Sequence, residues 1–90
     1  MSDTWIDGNV LAGPLGELVS FEVTTALARC DECARVSVLA ETHVYADGPG
    51  FVVRCPGCDI VLLRLVQDTA GGRSWLDLRG ISYLQVRLDT

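Results

Sequence analysis

Lysine is absent from this chain: all seven basic residues are arginine. Twelve acidic residues oppose them, so the formal net charge is −5. The arginines are dispersed: the first 29 residues hold one Arg and four acids, and residues 59–90 hold four of each. Binding of nucleic acid without sequence preference rests on clustered cations that neutralise phosphates. No basic tail or stripe supplies them here, so nucleic acid is disfavoured as a partner. Long apolar runs are missing too. The longest, Ile60 to Val66, is interrupted by Arg64 and falls far short of the roughly 20 residues that cross a bilayer. Met-Ser-Asp-Thr-Trp at the start has neither the basic nor the apolar part of a secretory leader. The expectation is a cytoplasmic protein with no membrane association.

Catalytic signatures are equally scarce. His43 is the only histidine. With Glu41 it would be the natural acid–base pair, but its place between Thr42 and Val44 fits the polar face of a strand. Ser20, Ser37, Ser74 and Ser82 lack the sharp turn and the partner base of a nucleophile. Gly48-Pro49-Gly50 and Gly71-Gly72 precede no helix carrying a lysine, so they read as turns and not as phosphate loops. No enzyme is expected.

What the chain does have is apolar content and cysteine. Ninety residues, 49% of them hydrophobic, make one domain, 1–90, with a small core. Domains of this size are commonly reinforced by a metal, disulfides or oligomerisation. Residues 7–19 place Val10, Leu11, Leu15, Leu18 and Val19 at mostly helical spacing behind a capping Asp7. Gly13-Pro14 interrupts them, which predicts a short or kinked helix with Pro14 in a first-turn position. From Ser20 the period becomes two: Phe21 and Val23 lead an extended segment toward Cys30. Val36, Val38, Ala40, Thr42 and Val44 form one side of a second alternating run. Asp47-Gly48-Pro49-Gly50 is the clearest turn, and Phe51–Arg54 follows it, so the two runs should pair as an antiparallel hairpin. Residues 60–67 are apolar on both strand faces except at Arg64 and Gln67, the pattern of a central strand. Ser74–Leu78 reads as another strand, and Ile81–Leu88 fits strand better than helix.

The four cysteines form two R-C-x-x-C units, Arg29–Cys33 and Arg54–Cys58, offset by 25 residues. A C-x-x-C turn leaves both sulfurs on one side, and two facing turns place four at the corners of a tetrahedron. The pairs are separated by 21 residues, a spacing near that of four-cysteine zinc sites, and the hairpin between them would bring them together. Cys30, Cys33, Cys55 and Cys58 are therefore the candidate ligands of one structural Zn²⁺. In the second turn Pro56 fixes φ and Gly57 permits unusual backbone angles, so that amides can point at sulfur. Arg29 and Arg54 are placed to offset thiolate charge. Four thiolates with one dication would take the net charge to about −7. Iron in the same sulfurs, as in rubredoxin, remains open because tetrahedral sulfur does not choose the metal. Thiol–disulfide chemistry is the active alternative. Asp31 and Glu32 inside the first pair work against the electropositive setting that it requires.

The order DGN-x-LAGPL, RC-x-x-C, RCPGC-x-x-VLLRLV and WLDLRG, from Asp7 to about Leu84, resembles a family of short uncharacterised actinobacterial proteins, a domain of unknown function. The resemblance implies a four-cysteine zinc-ribbon-like fold and no assigned activity. Ala34 departs from the glycine that often follows such a pair. The fold expected is small, metal-stabilised and mainly β: a zinc-ribbon-like antiparallel sheet with a short N-terminal helix.

Six aromatic residues, Trp5, Phe21, Tyr45, Phe51, Trp75 and Tyr83, are each expected in the core, although together they exceed what two turns and a hairpin need. The apolar surplus in residues 60–88 points to a protein partner, a second copy or another subunit. The leading functional reading is thus a non-enzymatic, zinc-stabilised protein-binding or regulatory module. A zinc ribbon associated with nucleic acid in transcription is the second reading, and a rubredoxin-like electron-transfer or thiol redox protein the third. The dispersed charge predicts no micromolar affinity for random duplex DNA at physiological salt. A salt-dependent mobility-shift titration checks this, and a retarded band at micromolar protein would refute it.

Overall fold

The computed structural model describes residues 5–19, 22–68 and 70–87. Eight strands make two antiparallel sheets. The larger sheet has the order β1-β4-β5-β6-β7, built from Ile6–Asp7, His43–Asp47, Gly50–Arg54, Val61–Asp68 and Arg73–Asp77. The smaller has the order β3-β2-β8, from Val36–Val38, Leu27–Cys30 and Ile81–Gln85. The mainly β expectation holds, with four clustered cysteines at one end of the structure.

The expected hairpin is β4–β5. Its two-residue connection, Gly48-Pro49, has Gly48 at φ 57°, the positive value that tight hairpins need and glycine tolerates. β6 is central as its composition requires: it lies between β5 and β7. Its odd-numbered residues Leu63 and Leu65 are buried on the inner face. On the other face Leu62 is buried against Cys30 and Cys55. Val44, Val53 and Leu63 form one cross-strand row of the inner face. They pack with Ala28 of β2, and Leu84 of β8 lies against the same cluster. Burial of each such Leu or Val side chain contributes about 1.5–3 kcal/mol.

Three local expectations are corrected. The segment 7–19 is not an α-helix but a 3-10 turn, Gly8–Ala12, capped by Asp7, which accepts a bond from the Asn9 amide at 3.0 Å. Single turns follow (Leu15 N–H to Leu11 O, 3.0 Å; Glu17 N–H to Gly13 O, 3.2 Å), and two glycines and a proline within four residues keep them from propagating. Leu11 and Leu15 still reach the core. The alternating run 36–44 is two strands in different sheets. The 3-10 turn Leu39–Glu41 separates them, leaving Val36 exposed while Val44 is buried. The Thr42 hydroxyl, also buried, donates to Leu39 O at 2.6 Å and stabilises the change of direction. Finally, the stretch leading to Cys30 becomes a strand only at Leu27. Before it, Glu22 accepts bonds from the Thr24 amide and hydroxyl, a local turn that competes with sheet pairing. Ser20, Phe21 and Leu88, part of those expectations, lie outside the described residues.

The aromatic residues were expected in the core, and among the described residues none is fully buried. Trp5 stacks on His43 with ring centroids 3.7 Å apart, and Tyr45 lies under the Arg54 guanidinium at 5.8 Å. His43 and Tyr45 lie on the face of β4 opposite to buried Val44 and are only half-buried there. Gly80 marks where the chain passes from the larger sheet to the smaller. Its amide donates to Leu62 O at 3.1 Å, and a Cβ there would strike the Val61 carbonyl and the Leu62 backbone. Gly80→Ala should therefore destabilise the fold by about 2 kcal/mol or more. Chemical denaturation checks this, with exposed Gly13→Ala, which meets nothing within 4 Å, as the control.

Candidate metal centre

Two turns with the same hydrogen-bond pattern carry the cysteines. In the first, the Cys30 amide donates to Arg35 O at 2.8 Å and the Ala34 amide to Cys30 O at 3.0 Å. In the second, the Cys55 amide donates to Ile60 O at 2.9 Å and the Asp59 amide to Cys55 O at 3.0 Å. The repeat visible in sequence is thus a repeat in backbone geometry. The residue after each second cysteine is left-handed: Ala34 at φ 66° and Asp59 at φ 70°. That conformation disfavours a Cβ, and a short polar side chain tolerates it better than alanine. The unusual angle expected at Gly57 sits instead at Asp59. A Cβ at Gly57 would lie 3.0 Å from Arg35 Cδ, a tight contact with a flexible side chain, and 3.6 Å from Cys55 Sγ, an ordinary one.

All four sulfurs lie within 4.8 Å of one another. Across the two turns, Cys30 Sγ is 3.6 Å from Cys58 Sγ, and Cys33 Sγ is 3.7 Å from Cys55 Sγ. Sulfurs 2.3 Å from a common centre at tetrahedral corners would be separated by about 3.8 Å, whereas a disulfide would need about 2.05 Å. The four are free cysteines, and the cluster could hold a metal ion. Cys30 and Cys55 are buried, Cys58 is half-buried and Cys33 is exposed.

Backbone amides converge on the two inner sulfurs. Glu32 and Cys33 donate to Cys30 Sγ at 3.4 and 3.5 Å, and Gly57 donates to Cys55 Sγ at 3.3 Å. Such bonds favour thiolate over thiol. Burial raises the Cys55 thiol, but the Cys58 and Gly57 amides and the neighbouring thiols outweigh it and bring it to about 7. At Cys58 the Ile60 amide acts to lower the value, yet burial and the other three sulfurs together push it up to about 12. Of these two thiols Cys55 ionises the more readily and Cys58 with difficulty, because the sulfurs crowd one another.

The surroundings hold the turns in place. Arg54 donates to Asp59 O at 2.8 Å and closes the second turn. Arg29 bonds Ser82 Oγ at 3.0 Å, and Ser82 bonds Asp31 at 3.0 Å, so β8 is tied to the first turn. The Asp31 amide donates to Gly80 O at 3.0 Å, and Gly80 to Leu62 O. The arginines picked out by sequence therefore act through carbonyl and hydroxyl oxygens rather than through sulfur. Arg35, Ser82 and Gly80 were not singled out for this role. Arg35 carries a weak signal in its nearness to Cys33, while Ser82 and Gly80 meet the site only through the pairing of β8 with β2.

Ala34→Gly should stabilise the protein by about 1 kcal/mol, because it relieves a left-handed alanine without removing a contact. In a chain of this length that is a rise in Tm of about 4–8 °C. Thermal unfolding under reducing conditions measures it, and an unchanged or lower Tm would show that the turn is not strained.

No curated protein and no solved structure matches the chain. Residues 1–89 match the model of a family of unknown function, DUF6510. With nearly its whole length covered, the chain belongs to that family.

Proposed function

We propose that this chain is a non-enzymatic protein-binding module whose fold is held by one zinc ion on Cys30, Cys33, Cys55 and Cys58. The observation that carries the reading is the sulfur geometry: four thiols converge at near-tetrahedral spacing, and amides already point at the two buried ones. A closed set of four sulfurs leaves no open coordination position for substrate, which distinguishes structural from catalytic zinc. Zinc contributes no redox chemistry there. It supplies the positive charge that lets four thiolates coexist.

Support for a binding rather than a catalytic role comes from the remaining polar groups. His43 lies against Trp5. A shallow cleft of about 260 Å³, lined by Val61, Leu62, Arg64, Asp77, Arg79 and Gly80, has Asp77 as its acid, and the Arg79 guanidinium holds that carboxyl at about 2. An acid so depressed is a poor general base at neutral pH. The partner surface is assigned to residues 60–88, where Trp75, Leu76, Leu78 and Tyr83 are exposed. The compartment proposed is the cytoplasm, where paired free cysteines favour metal over disulfides. No helix among the described residues is long and apolar enough to cross a membrane.

Elemental analysis of protein purified under reducing conditions should return one zinc per chain. Iron would turn the reading to electron transfer, and neither metal would overturn it. Cys30→Ser or Cys55→Ser should lose native circular dichroism, since structural zinc contributes about 10–16 kcal/mol of apparent binding energy and small domains have less stability than that to spare. A variant that kept the wild-type melting temperature would refute a structural ion. Binding replaces thiol protons with metal, so the thiols' effective pKa falls in the folded holo form. The stability this brings is present above the ordinary thiol value and is lost as pH falls. An acid titration should release zinc and unfold the chain together.

A further inference from the structure

β7 is the last strand of the larger sheet, and its outer edge pairs with nothing among the described residues. Exposed edges are usually blunted by proline, by a bulge or by like charges that repel a second strand. β7 has none of these: Arg73–Asp77 contains no proline and pairs with β6 in continuous register. Its two flanking side chains of greatest apolar size are open to solvent, Trp75 at 53% and Leu76 at 38%. The edges of the smaller sheet are different: β3 has only three residues, and β8 is the longer edge. It carries no charged residue, and its pairing with β2 is broken by a register shift.

The charges at the ends of β7 are opposite in sign. Arg73, Trp75 and Asp77 alternate onto one face of the strand. An antiparallel copy centred on Trp75 would set Arg73 opposite Asp77 twice, Trp75 opposite Trp75, and Ser74 opposite Leu76 on the other face. A strand whose charges complement themselves under a two-fold axis accepts its own copy in this register; moving the axis to Ser74 or Leu76 loses both opposite-charge contacts, and moving it to Arg73 or Asp77 sets like charges face to face. We propose that a second copy of this chain docks on this edge, β7 pairing antiparallel with β7 of its partner about Trp75, so that the two five-stranded sheets become one of ten strands.

Strand hydrogen bonds and the cover given to Trp75 and Leu76 supply the affinity, and the charges set the register. Asp77 is already gripped by Arg79, with Nη2 at 2.6 Å, and stays ionised at neutral pH. The partner's Arg73 competes for it with a guanidinium that is 91% exposed, an exchange between two surface contacts of similar strength. Arg73 has no ion pair among the described residues. Five residues of pairing make a small interface, so the expected state is a monomer–dimer equilibrium and not an obligate dimer. The pairing deepens the reading of this chain as a protein-binding module, but it uses no residue of the cysteine cluster.

Light scattering with size-exclusion chromatography over a concentration series tests it on the zinc-loaded protein. The wild type should shift from monomer to dimer as concentration rises. Arg73→Asp alone, and Asp77→Arg alone, should each weaken the dimer about tenfold or more, because each sets like charges face to face twice. Mixing the two variants should restore a heterodimer, since Asp at 73 then meets Arg at 77, and wild-type Asp77 meets wild-type Arg73 at the other contact. Trp75→Ala should weaken self-association while leaving circular dichroism unchanged. A wild type that stays monomeric overturns the proposal. So does a dimer indifferent to both charge reversals, or two weakened variants that fail to recover on mixing. Metal content measured on the same samples separates the two readings: a zinc-loaded monomer removes the β7 pairing and leaves the module standing, whereas a β7-dependent dimer without metal removes the zinc and leaves the pairing.

Discussion

The structure turns on the meeting of two backbone turns. One ends β2 and the other follows β5, so they belong to different sheets. Their sulfurs approach within 3.7 Å. Leu62 is buried in one cluster with Cys30 and Cys55, with Ile60 and Ile81 packed against it, and the crossing at Gly80 is held by bonds to Asp31 on one side and Leu62 on the other. The larger core, at Val44, Val53 and Leu63, packs by ordinary apolar burial. The smaller cluster packs around thiols, and thiols so close together are mutually repulsive once ionised. The stability of that end of the fold is therefore tied to how their charge is balanced.

How much of this could be read in the sequence depended on whether the signal was local. The paired C-x-x-C units fixed both the site and its internal symmetry, because a four-residue turn determines where its own sulfurs point. Gly48-Pro49 marked the β4–β5 hairpin for the same reason, and Ile60–Val66 was recognisably central because both of its faces are apolar. Non-local features were not legible. Alternation from Val36 to Val44 cannot show that the chain changes sheets midway, since a 3-10 turn of three residues leaves the period almost intact. The helical spacing of Leu11 and Leu15 is real, yet it serves successive single turns. Ser82 and Gly80 enter the site through pairing across about fifty positions of sequence, and no pattern in either segment announces the other.

The aromatic residues show how composition can mislead. Size and apolarity place such side chains inside on average, but a protein with two thin layers has much outer sheet surface and little interior. Trp5 on His43 and Arg54 on Tyr45 are the result: flat groups covering one another away from the buried row at Val44. Several of the well-spaced arginines are likewise spent on internal contacts: Arg54 on a carbonyl and a ring, Arg29 and Arg35 on serine hydroxyls, and Arg79 on Asp77.

The order of strands also sets an order of events. β4, β5, β6 and β7 follow one another in sequence and are neighbours in the sheet, so most of the larger sheet closes through short hairpins, the quickest kind of contact to form. The smaller sheet cannot finish that way. β2, near residue 28, waits for β8, near residue 83. On a ribosome this means that the first cysteine turn is made early and remains without its neighbouring strand until β8 has emerged. During that interval Cys30 and Cys33 are held by their own turn and the β2–β3 pairing alone, and β8 completes the smaller sheet.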